Sequence, residues 1–364
     1  YVRGGITMSW QDKLRQVEPY VAGEQPKISN MIKLNTNENP YGPSNQVKEV
    51  LKEIDIEKLK LYPNSDGEEL RHALADYHGL KDNQVFLGNG SDEVLALTFL
   101  TFFNGKEPVL FPNISYSFYP VYCDLYQMSY KEVLLDQDFK INVEDFKQPN
   151  SGIIFPNPNA PTGLLVSLDF IEEVLKSNPD SIVVVDEAYI DFGGQTCVPL
   201  IDKYDNLVVI QTFSKSRSFA GARLGVALGN KEAISNLYDV KNSFNSYPVD
   251  YITQQIGLAS VLDSQDMKEK CQKVIKTREY TKTKLKELGF VVPDSYANFV
   301  FVKHPEIDGE KLFLALRQEG IIVRHWNKPL IDQYLRITIG TDQQMERLFE
   351  FLEKCITQQQ REGE

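Results

Sequence analysis

Residues 207–228 read LVVIQTFSKSRSFAGARLGVAL, and this stretch determines how the rest of the chain is interpreted. Its first four residues are apolar and mostly β-branched, which is typical of a strand buried on both faces of a parallel sheet. Lys215 follows that strand closely, so we expect it at the carboxyl edge of the sheet, where open α/β sheets bind ligands. A lysine there can form a Schiff base with an aldehyde, whereas lone lysines elsewhere are mostly solvated surface residues.

The same strand pattern recurs along the chain and predicts the fold. Short apolar runs alternate with helical patterns such as residues 167–176, and this alternation predicts an α/β fold with a mostly parallel, doubly wound sheet. The predicted strands of that sheet lie at residues 85–87, 109–111, 129–134, 153–155, 182–185, 207–210 and 224–228.

A second, smaller domain is predicted from the C-terminal pattern. The long helical stretch 267–288 leads out of the sheet. Beyond it, strands are predicted at 299–302, 321–323 and 335–338, and helices at 309–319 and 342–358. We expect the N-terminal residues to join this part, which gives a large domain over residues 41–280 and a small α+β domain built from residues 1–40 and 281–364.

Composition excludes several classes of partner. The chain has 364 residues and a formal net charge of −12, which argues against nucleic-acid binding. No apolar run approaches the ~20 residues that span a bilayer, and residues 1–10 lack the apolar core of a signal peptide, so we expect a cytoplasmic protein. The four cysteines are expected to be reduced thiols: Cys123, Cys197, Cys271 and Cys355. Neither they nor the four histidines, His72, His78, His304 and His325, show the spacing of metal ligands.

Several predicted strands run directly into polar residues. The strand at 85–87 leads to Gly90, Ser91 and Asp92, ahead of a helical pattern that starts at residue 94. Free N–H groups at a helix N-terminus bind phosphate, although the same residue types are also ordinary helix caps. Polar residues also follow the strands at 109–111, 153–155 and 182–185, so a ligand site is predicted where these strand ends meet.

The order and spacing of these motifs resemble the fold-type-I aminotransferases that depend on pyridoxal phosphate. Asp186-Glu187-Ala188-Tyr189 begins twenty-nine residues before Lys215, and Arg223 follows that lysine by eight. The resemblance covers nearly the whole chain and includes residues 157–163, NPNAPTG. A narrower similarity, to the histidinol-phosphate aminotransferases within that group, rests on residues 35–43 (NTNENPYGP), 19–20, 62–63 and 335–341 (LRITIGT).

The resemblance implies pyridoxal phosphate as the cofactor and a role for each matching residue. Lys215 would hold the cofactor and act as general base and acid, Asp186 would face the ring nitrogen, and Tyr189 would donate to the ring's 3′-oxygen. The cofactor phosphate and ring would contact Gly90, Ser91, Asp92, Tyr116, Asn159, Ser214 and Arg223, with Tyr62 reaching in from the second subunit of a homodimer. The substrate would be received by Tyr20, Asn37, Arg324 and Arg336, although a structural salt bridge is the alternative role of Arg324.

One position departs from the family pattern. Ala160 stands where the family usually has the asparagine that bonds the 3′-oxygen of the ring. The resemblance leaves Asn159 or Asn157 to supply that contact from a shifted position, and we assign it to Asn159.

The activity implied by the narrower resemblance is transfer of an amino group from histidinol phosphate to 2-oxoglutarate in histidine biosynthesis, by a ping-pong cycle. Two arginines could accept either the substrate phosphate or the carboxylates of glutamate. Two enzyme alternatives remain open at this point: an aromatic or broad-range aminotransferase, and a phosphothreonine decarboxylase. A regulatory module that binds the cofactor without catalysis is a third alternative, but the enzyme pattern occupies both predicted domains.

Overall fold

The computed structural model describes residues 9–27 and 30–362. Its strands are β1 Ile32–Lys33, β2 Val85–Gly88, β3 Val109–Pro112, β4 Tyr130–Val133, β5 Gly152–Pro156, β6 Val183–Asp186, β7 Leu207–Thr212, β8 Gly225–Gly229, β9 Phe299–Val302, β10 Ile321–Ile322, β11 Arg324–His325 and β12 Leu335–Thr338. Its α-helices are α1 Asn45–Lys52, α2 Glu68–His78, α3 Gly90–Phe102, α4 Phe118–Tyr126, α5 Leu168–Ser177, α6 Lys231–Phe244, α7 Tyr251–Leu262, α8 Ser264–Glu287, α9 Gly309–Gln318 and α10 Asp342–Glu362. Among these described helices, none combines the length and the apolar character that crossing a bilayer requires.

Within the described residues, a seven-stranded sheet forms the centre of the molecule, in the order β2-β8-β7-β6-β5-β3-β4. Strands β4, β3, β5, β6 and β7 pair in parallel with one another, which confirms the predicted mostly parallel sheet. The exception is β8, which lies antiparallel between β7 and β2. The reason is that residues 213–224 join β7 to β8 without a crossover helix, so the chain can only turn back along the strand it has just left.

The central strands are buried on both faces, as their continuous apolar runs predicted. In β6, Val183 and Val185 pack into the core that contains helices α2, α5 and α7, whereas Val184 packs into the core that contains α3, α4 and α6. Each of these valines is fully buried. Alternating side chains of one strand therefore pack helical layers onto opposite faces of the sheet. Because both faces are covered by helices, only the ends of the strands remain accessible to a ligand.

The C-terminal strands form a separate small sheet with the order β11-β12-β9, and the N-terminal strand β1 pairs in parallel with β10. Leu34, just after β1, lies in the same core as Phe299, Ile337 and Met345. The segment around β1 therefore packs with the C-terminal strands, whereas the division into a large and a small domain stays a prediction. The proposed boundary at residue 280 falls inside the continuous helix α8, and residues 1–8 lie outside the described part.

A cluster of aromatic residues joins the small sheet to loops of the large one. Phe301 in β9 is fully buried; it stacks on Tyr334 at a ring-centroid distance of 4.5 Å and meets Phe139 at 5.6 Å. Ile114, from the loop after β3, completes the contact. This packing fixes the position of the small sheet beside the strand ends.

Replacing Phe301 with alanine should lower the free energy of unfolding by about 3–5 kcal/mol, because a fully buried aromatic side chain leaves a cavity that its neighbours cannot fill. Urea denaturation followed by circular dichroism measures the change. The matched control is Leu314→Ala on the exposed face of α9, which should cost within about 0.5 kcal/mol. Equal losses in the two variants would contradict the packing role of Phe301.

Candidate active site

A cavity of about 280 Å³ lies at the carboxyl ends of the parallel strands, where residues after β3, β5, β6 and β7 meet the small sheet. It brings together most of the residues predicted from the sequence. The predicted residues that line it are Tyr20, Asn37, Ser91, Asp92, Tyr116, Asp186, Tyr189, Ser214, Lys215, Arg223, Arg324 and Arg336.

Lys215 lies in the connection between β7 and β8, and its ammonium group points into the cavity region. Its Nζ donates to the backbone carbonyl of Thr36 at 3.0 Å and lies 5.8 Å from the centroid of the Tyr189 ring. The backbone carbonyl of Lys215 accepts from Asn39 Nδ2 at 3.1 Å. The segment after β1 therefore holds both ends of this residue, a contact between distant parts of the chain that the sequence did not predict.

Asp186 is the last residue of β6 and is only 5% exposed. Tyr119 donates its hydroxyl proton to Oδ2 at 2.8 Å, and the backbone N–H of Ala188 donates to Oδ1 at 3.2 Å. Burial raises the pKa of the Asp186 carboxyl to about 6, although both hydrogen bonds act to lower it. Because no Lys or Arg pairs with it anywhere in the described chain, Asp186 can receive a cationic N–H group from a ligand.

Tyr119, which donates to Asp186, was not predicted from the sequence as part of the site. The signal was weak because Tyr116, Tyr119, Tyr122 and Tyr126 recur at helical spacing, and such a pattern usually marks core packing. The structure separates their roles: the hydroxyl of Tyr119 reaches Asp186, whereas those of Tyr116 and Tyr122 reach Asp92.

Helix α3 begins at Gly90, earlier than the predicted start at residue 94. The Glu93 side chain accepts the backbone N–H of Asn89 at 2.5 Å, and this capping contact stabilises the early first turn. Gly90 adopts φ +76°, and a Cβ atom there would lie 2.5 Å from Nη2 of Arg223. Only glycine lets the guanidinium group approach the start of the helix this closely.

Arg223 completes a cradle for an anion at the N-terminus of α3. Its Nη2 donates to Asp92 Oδ2 at 3.1 Å, and Tyr116 donates its hydroxyl proton to Asp92 Oδ1 at 2.9 Å. Asp92 thus orients both side chains. A helix N-terminus beside an arginine is a favourable phosphate site, because free N–H groups and a planar cation face the same point.

Two arginines face the cavity from the small sheet. Arg324 and Arg336 are directly paired across β11 and β12, and neither forms an ion pair with an acid in the described part of the chain. Arg336 donates from Nη2 to the carbonyl of Asn35 at 2.8 Å, while its buried Nε has no partner. Burial also lowers the pKa of Arg336. Two adjacent cations without counter-ions form a receptor for an anionic ligand.

Aromatic rings support these arginines. The guanidinium carbons of Arg324 and Arg336 lie 5.4 Å and 5.3 Å from the ring of Trp326, which the sequence analysis did not single out. Tyr20, which also lines the cavity, stacks on Phe118 at a ring-centroid distance of 4.5 Å. The cation–π contacts with Trp326 offset part of the repulsion between the positive charges of Arg324 and Arg336.

The structure does not bring Asn159 or Tyr62 into the cavity of one chain. Asn159 donates from Nδ2 to the carbonyl of Ile114 at 3.0 Å and to Thr162 Oγ1 at 2.9 Å, so its donor group is already used. Ala160, not Asn159, lines the cavity. Tyr62 is 82% exposed and stacks on Tyr247. Its predicted contact across a dimer stays a prediction, whereas the geometry does not support the assigned role of Asn159.

Within the described residues, no group of three or more His, Cys, Asp or Glu is arranged to hold a metal ion. The ionisable groups that line the cavity include the amine of Lys215, the carboxyl of Asp186 and three arginines. A lysine, a buried acid and an anion cradle at one sheet edge can hold a phosphorylated cationic ring and act on a bound amine.

Comparison with known proteins agrees with this arrangement. The family model "Aminotransferase class I and II" matches residues 29–352. A histidinol-phosphate aminotransferase of Lactococcus lactis subsp. cremoris is 58% identical, with 96% of this chain and 98% of the relative covered. A histidinol-phosphate aminotransferase of Pseudomonas putida is 51% identical, with 94% and 99% covered.

A solved structure shares the fold. The histidinol-phosphate aminotransferase from Sinorhizobium meliloti, determined in complex with pyridoxal-5′-phosphate, superposes with a TM-score of 0.81 at 19% identity and covers 90% of this chain and 91% of its own. At that identity the likeness establishes the fold alone. Because the family model and the curated relatives each span most of the chain, the protein belongs to the class I and II aminotransferase family.

Proposed function

We propose that this aminotransferase uses pyridoxal phosphate to move an amino group from histidinol phosphate to 2-oxoglutarate. The observation that carries the proposal is the pair Arg324 and Arg336, which face the cavity of Lys215 without an acidic partner among the described residues. The amino donor of this reaction carries a phosphate and the acceptor, 2-oxoglutarate, carries carboxylates, and paired arginines bind either anion. The names of the relatives support histidinol phosphate as the donor.

The residues present fit pyridoxal phosphate at both of its ends. The cradle of Gly90 and Arg223 at the start of α3 would hold the phosphate, because a side chain at Gly90 would fill that space. Asp186 would pair with the protonated ring nitrogen, which provides the cation that the buried carboxylate lacks. When bound, the cofactor supplies an aldehyde for the substrate amine and a cationic ring that stabilises negative charge.

Lys215 is the group placed to move protons in this cavity. Its amine is held at the Thr36 carbonyl by a single hydrogen bond, which can break without loss of a buried charge pair. It would therefore take the proton from the substrate carbon as general base and deliver it to the C4′ atom of the bound cofactor as general acid. Tyr189, beside it, would orient the ring through its hydroxyl group.

The arginines would set the position of the substrate. Arg336 is fixed at one end by the Asn35 carbonyl and keeps an unpaired N–H for the ligand. Its fixed position means that little side-chain freedom is lost on binding, so the anion is held at a defined distance from Lys215.

The proposal includes a homodimer with shared sites and a cytoplasmic location. Tyr62 and Tyr247 stack in a surface that also exposes Leu59 and Leu61, and such an apolar surface favours contact with a second copy. In a dimer, Tyr62 would reach the partner's cofactor phosphate. The four cysteines are free thiols, which favours a reducing compartment.

Replacing Lys215 with alanine should lower turnover by about 10²–10⁴-fold or more, because the proposed general base and acid is removed. Glutamate formation from histidinol phosphate and 2-oxoglutarate measures it. The matched control is Lys203→Ala, an exposed lysine paired with Glu172, which should keep wild-type turnover.

The same assay distinguishes the proposal from its alternatives. The wild-type protein should have a higher kcat/KM for histidinol phosphate than for phenylalanine or tyrosine. A preference for the aromatic amino acids would indicate an aromatic aminotransferase, and release of carbon dioxide from phosphothreonine would indicate a decarboxylase. Undiminished turnover of Lys215→Ala would contradict the mechanism itself.

Cofactor affinity should fall as the pH decreases below about 6. The pKa of Asp186 without cofactor is raised to about 6, so the carboxyl becomes neutral below that pH and cannot pair with a cationic ring nitrogen. Asp186→Asn should bind the cofactor more weakly at pH 8, and its affinity should no longer fall between pH 8 and pH 5. The control Asp138→Asn changes an exposed acid and should behave as wild type. Equilibrium dialysis across pH 5–8 measures the affinity, and an unchanged fall in affinity in Asp186→Asn would exclude this role.

Replacing Arg336 with glutamine should raise KM by about 10–150-fold, because a charged hydrogen bond to an anion contributes about 1.5–3 kcal/mol. The rise should appear for both histidinol phosphate and 2-oxoglutarate, since the proposal places both anions on the same arginines. The control Arg347→Gln changes an exposed arginine on α10 and should leave KM unchanged. An effect on only one substrate would mean that the two anions use different sites.

A further inference from the structure

The hydroxyl oxygen of Tyr189 accepts a hydrogen bond that has no role in the mechanism proposed above. Asn37 Nδ2 donates to the Tyr189 hydroxyl oxygen at 2.9 Å. Asn37 is 1% exposed, and the sequence analysis had assigned it to the substrate. Its amide is instead directed at a residue of the cofactor site.

The orientation of that amide is fixed by Thr338 in β12. The Thr338 Oγ1 accepts the backbone N–H of Asn37 at 3.0 Å, so its single proton is free to donate to Asn37 Oδ1, also at 3.0 Å. Because Oδ1 is engaged by a donor, the other end of the amide, the NH₂ group, must face Tyr189. The backbone of Asn37, at φ +57°, is held by Asn298 Nδ2, which donates to its carbonyl at 2.8 Å.

This contact determines where the phenolic proton can go. A phenol oxygen holds its proton in the plane of the ring and accepts a donor most readily on the opposite in-plane side. The side that faces Asn37 is occupied by the amide donor, and no other hydrogen bond to the Tyr189 hydroxyl forms among the described residues. The proton of Tyr189 is therefore available to an acceptor in the cavity that Tyr189 lines.

We infer that Asn37 is a positioning residue for Tyr189, which holds the phenolic proton toward the 3′-oxygen of the cofactor ring. This inference rests on the proposed function, because it concerns the bound cofactor. It also explains how the 3′-oxygen could be bound without the asparagine that the family usually has at position 160. Asn159 uses its donor group elsewhere, and Ala160 lines the cavity. One oriented phenol takes the place of two separate donors.

The inference is tested by the pH titration of the cofactor's absorbance band in the reconstituted protein. A phenol that donates to the ring oxygen stabilises its negative charge, and that charge otherwise favours a proton on the adjacent nitrogen. Tyr189→Phe should therefore raise the midpoint of the titration. Asn37→Ala should raise it in the same direction by about 0.5–1 pH unit, a three- to tenfold change in the ionisation constant.

A double variant separates positioning from a direct effect. If Asn37 acts only through Tyr189, then Asn37→Ala adds no further shift in the Tyr189→Phe protein. Thr338→Val should shift the midpoint as Asn37→Ala does, whereas Thr338→Ser keeps the hydroxyl and should titrate as wild type. Asn178→Ala is the matched control, because it removes a buried amide that donates to the Val174 carbonyl, away from the cavity.

The outcomes distinguish this inference from the proposed function. An unchanged midpoint in Asn37→Ala, or a shift that adds fully to that of Tyr189→Phe, overturns the role of Asn37 while the enzyme still binds its cofactor. A shift in Asn178→Ala equal to that in Asn37→Ala overturns it as well, because the effect would then come from general destabilisation. Absence of any cofactor band in the wild-type protein overturns the proposed function and the inference together.

Discussion

The site depends on the register between β6 and β7. This pairing sets Asp186 opposite Ile210, so that the acid at the end of β6 and the loop that follows β7 reach the same edge of the sheet. The apolar residues paired in this register, Val183 with Leu207, Val184 with Val208 and Val185 with Val209, are all fully buried. A shift of one residue would turn every side chain to the opposite face and remove Asp186 from the cavity. The hydrophobic core therefore determines the geometry of the polar site.

The electrostatics of the cavity differ from those of the whole protein. The chain carries a formal net charge of −12, yet Lys215, Arg223, Arg324 and Arg336 all line one cavity. Of these four cations, Arg223 alone has an acid within ion-pair distance in the described part of the chain, namely Asp92. The other three are satisfied by carbonyl groups or aromatic faces, which leave their charge available to a ligand. This local concentration of positive charge favours small anions at the cavity, although the protein as a whole is acidic.

The short segment after β1 connects the two sheets through the site. Thr36 receives the Lys215 amine, Asn37 donates to Tyr189, and Asn39 donates to the carbonyl of Lys215. The same segment is bound to β12 through Thr338. The Lys215 amine and the Tyr189 phenol are therefore both held by one stretch of the chain that packs with the C-terminal strands.

The sequence alone determined the residues whose chemistry depends on type and spacing. Local periodicity predicted the mostly parallel sheet and a lysine, Lys215, near the end of a buried strand. The roles of Asp186 and Arg223 were implied by motifs whose spacing resembles that of the aminotransferases. The tertiary structure decided everything that depends on which distant groups meet. The contacts of Tyr119 with Asp186, of Asn37 with Tyr189 and of Trp326 with the two arginines join residues far apart in the chain. The direction of β8 and the placement of Asn159 were likewise fixed by pairing and hydrogen bonding. Local sequence sets the preferences of a segment, but a side chain's partner is chosen by packing, so only the folded chain shows which donor reaches which acceptor.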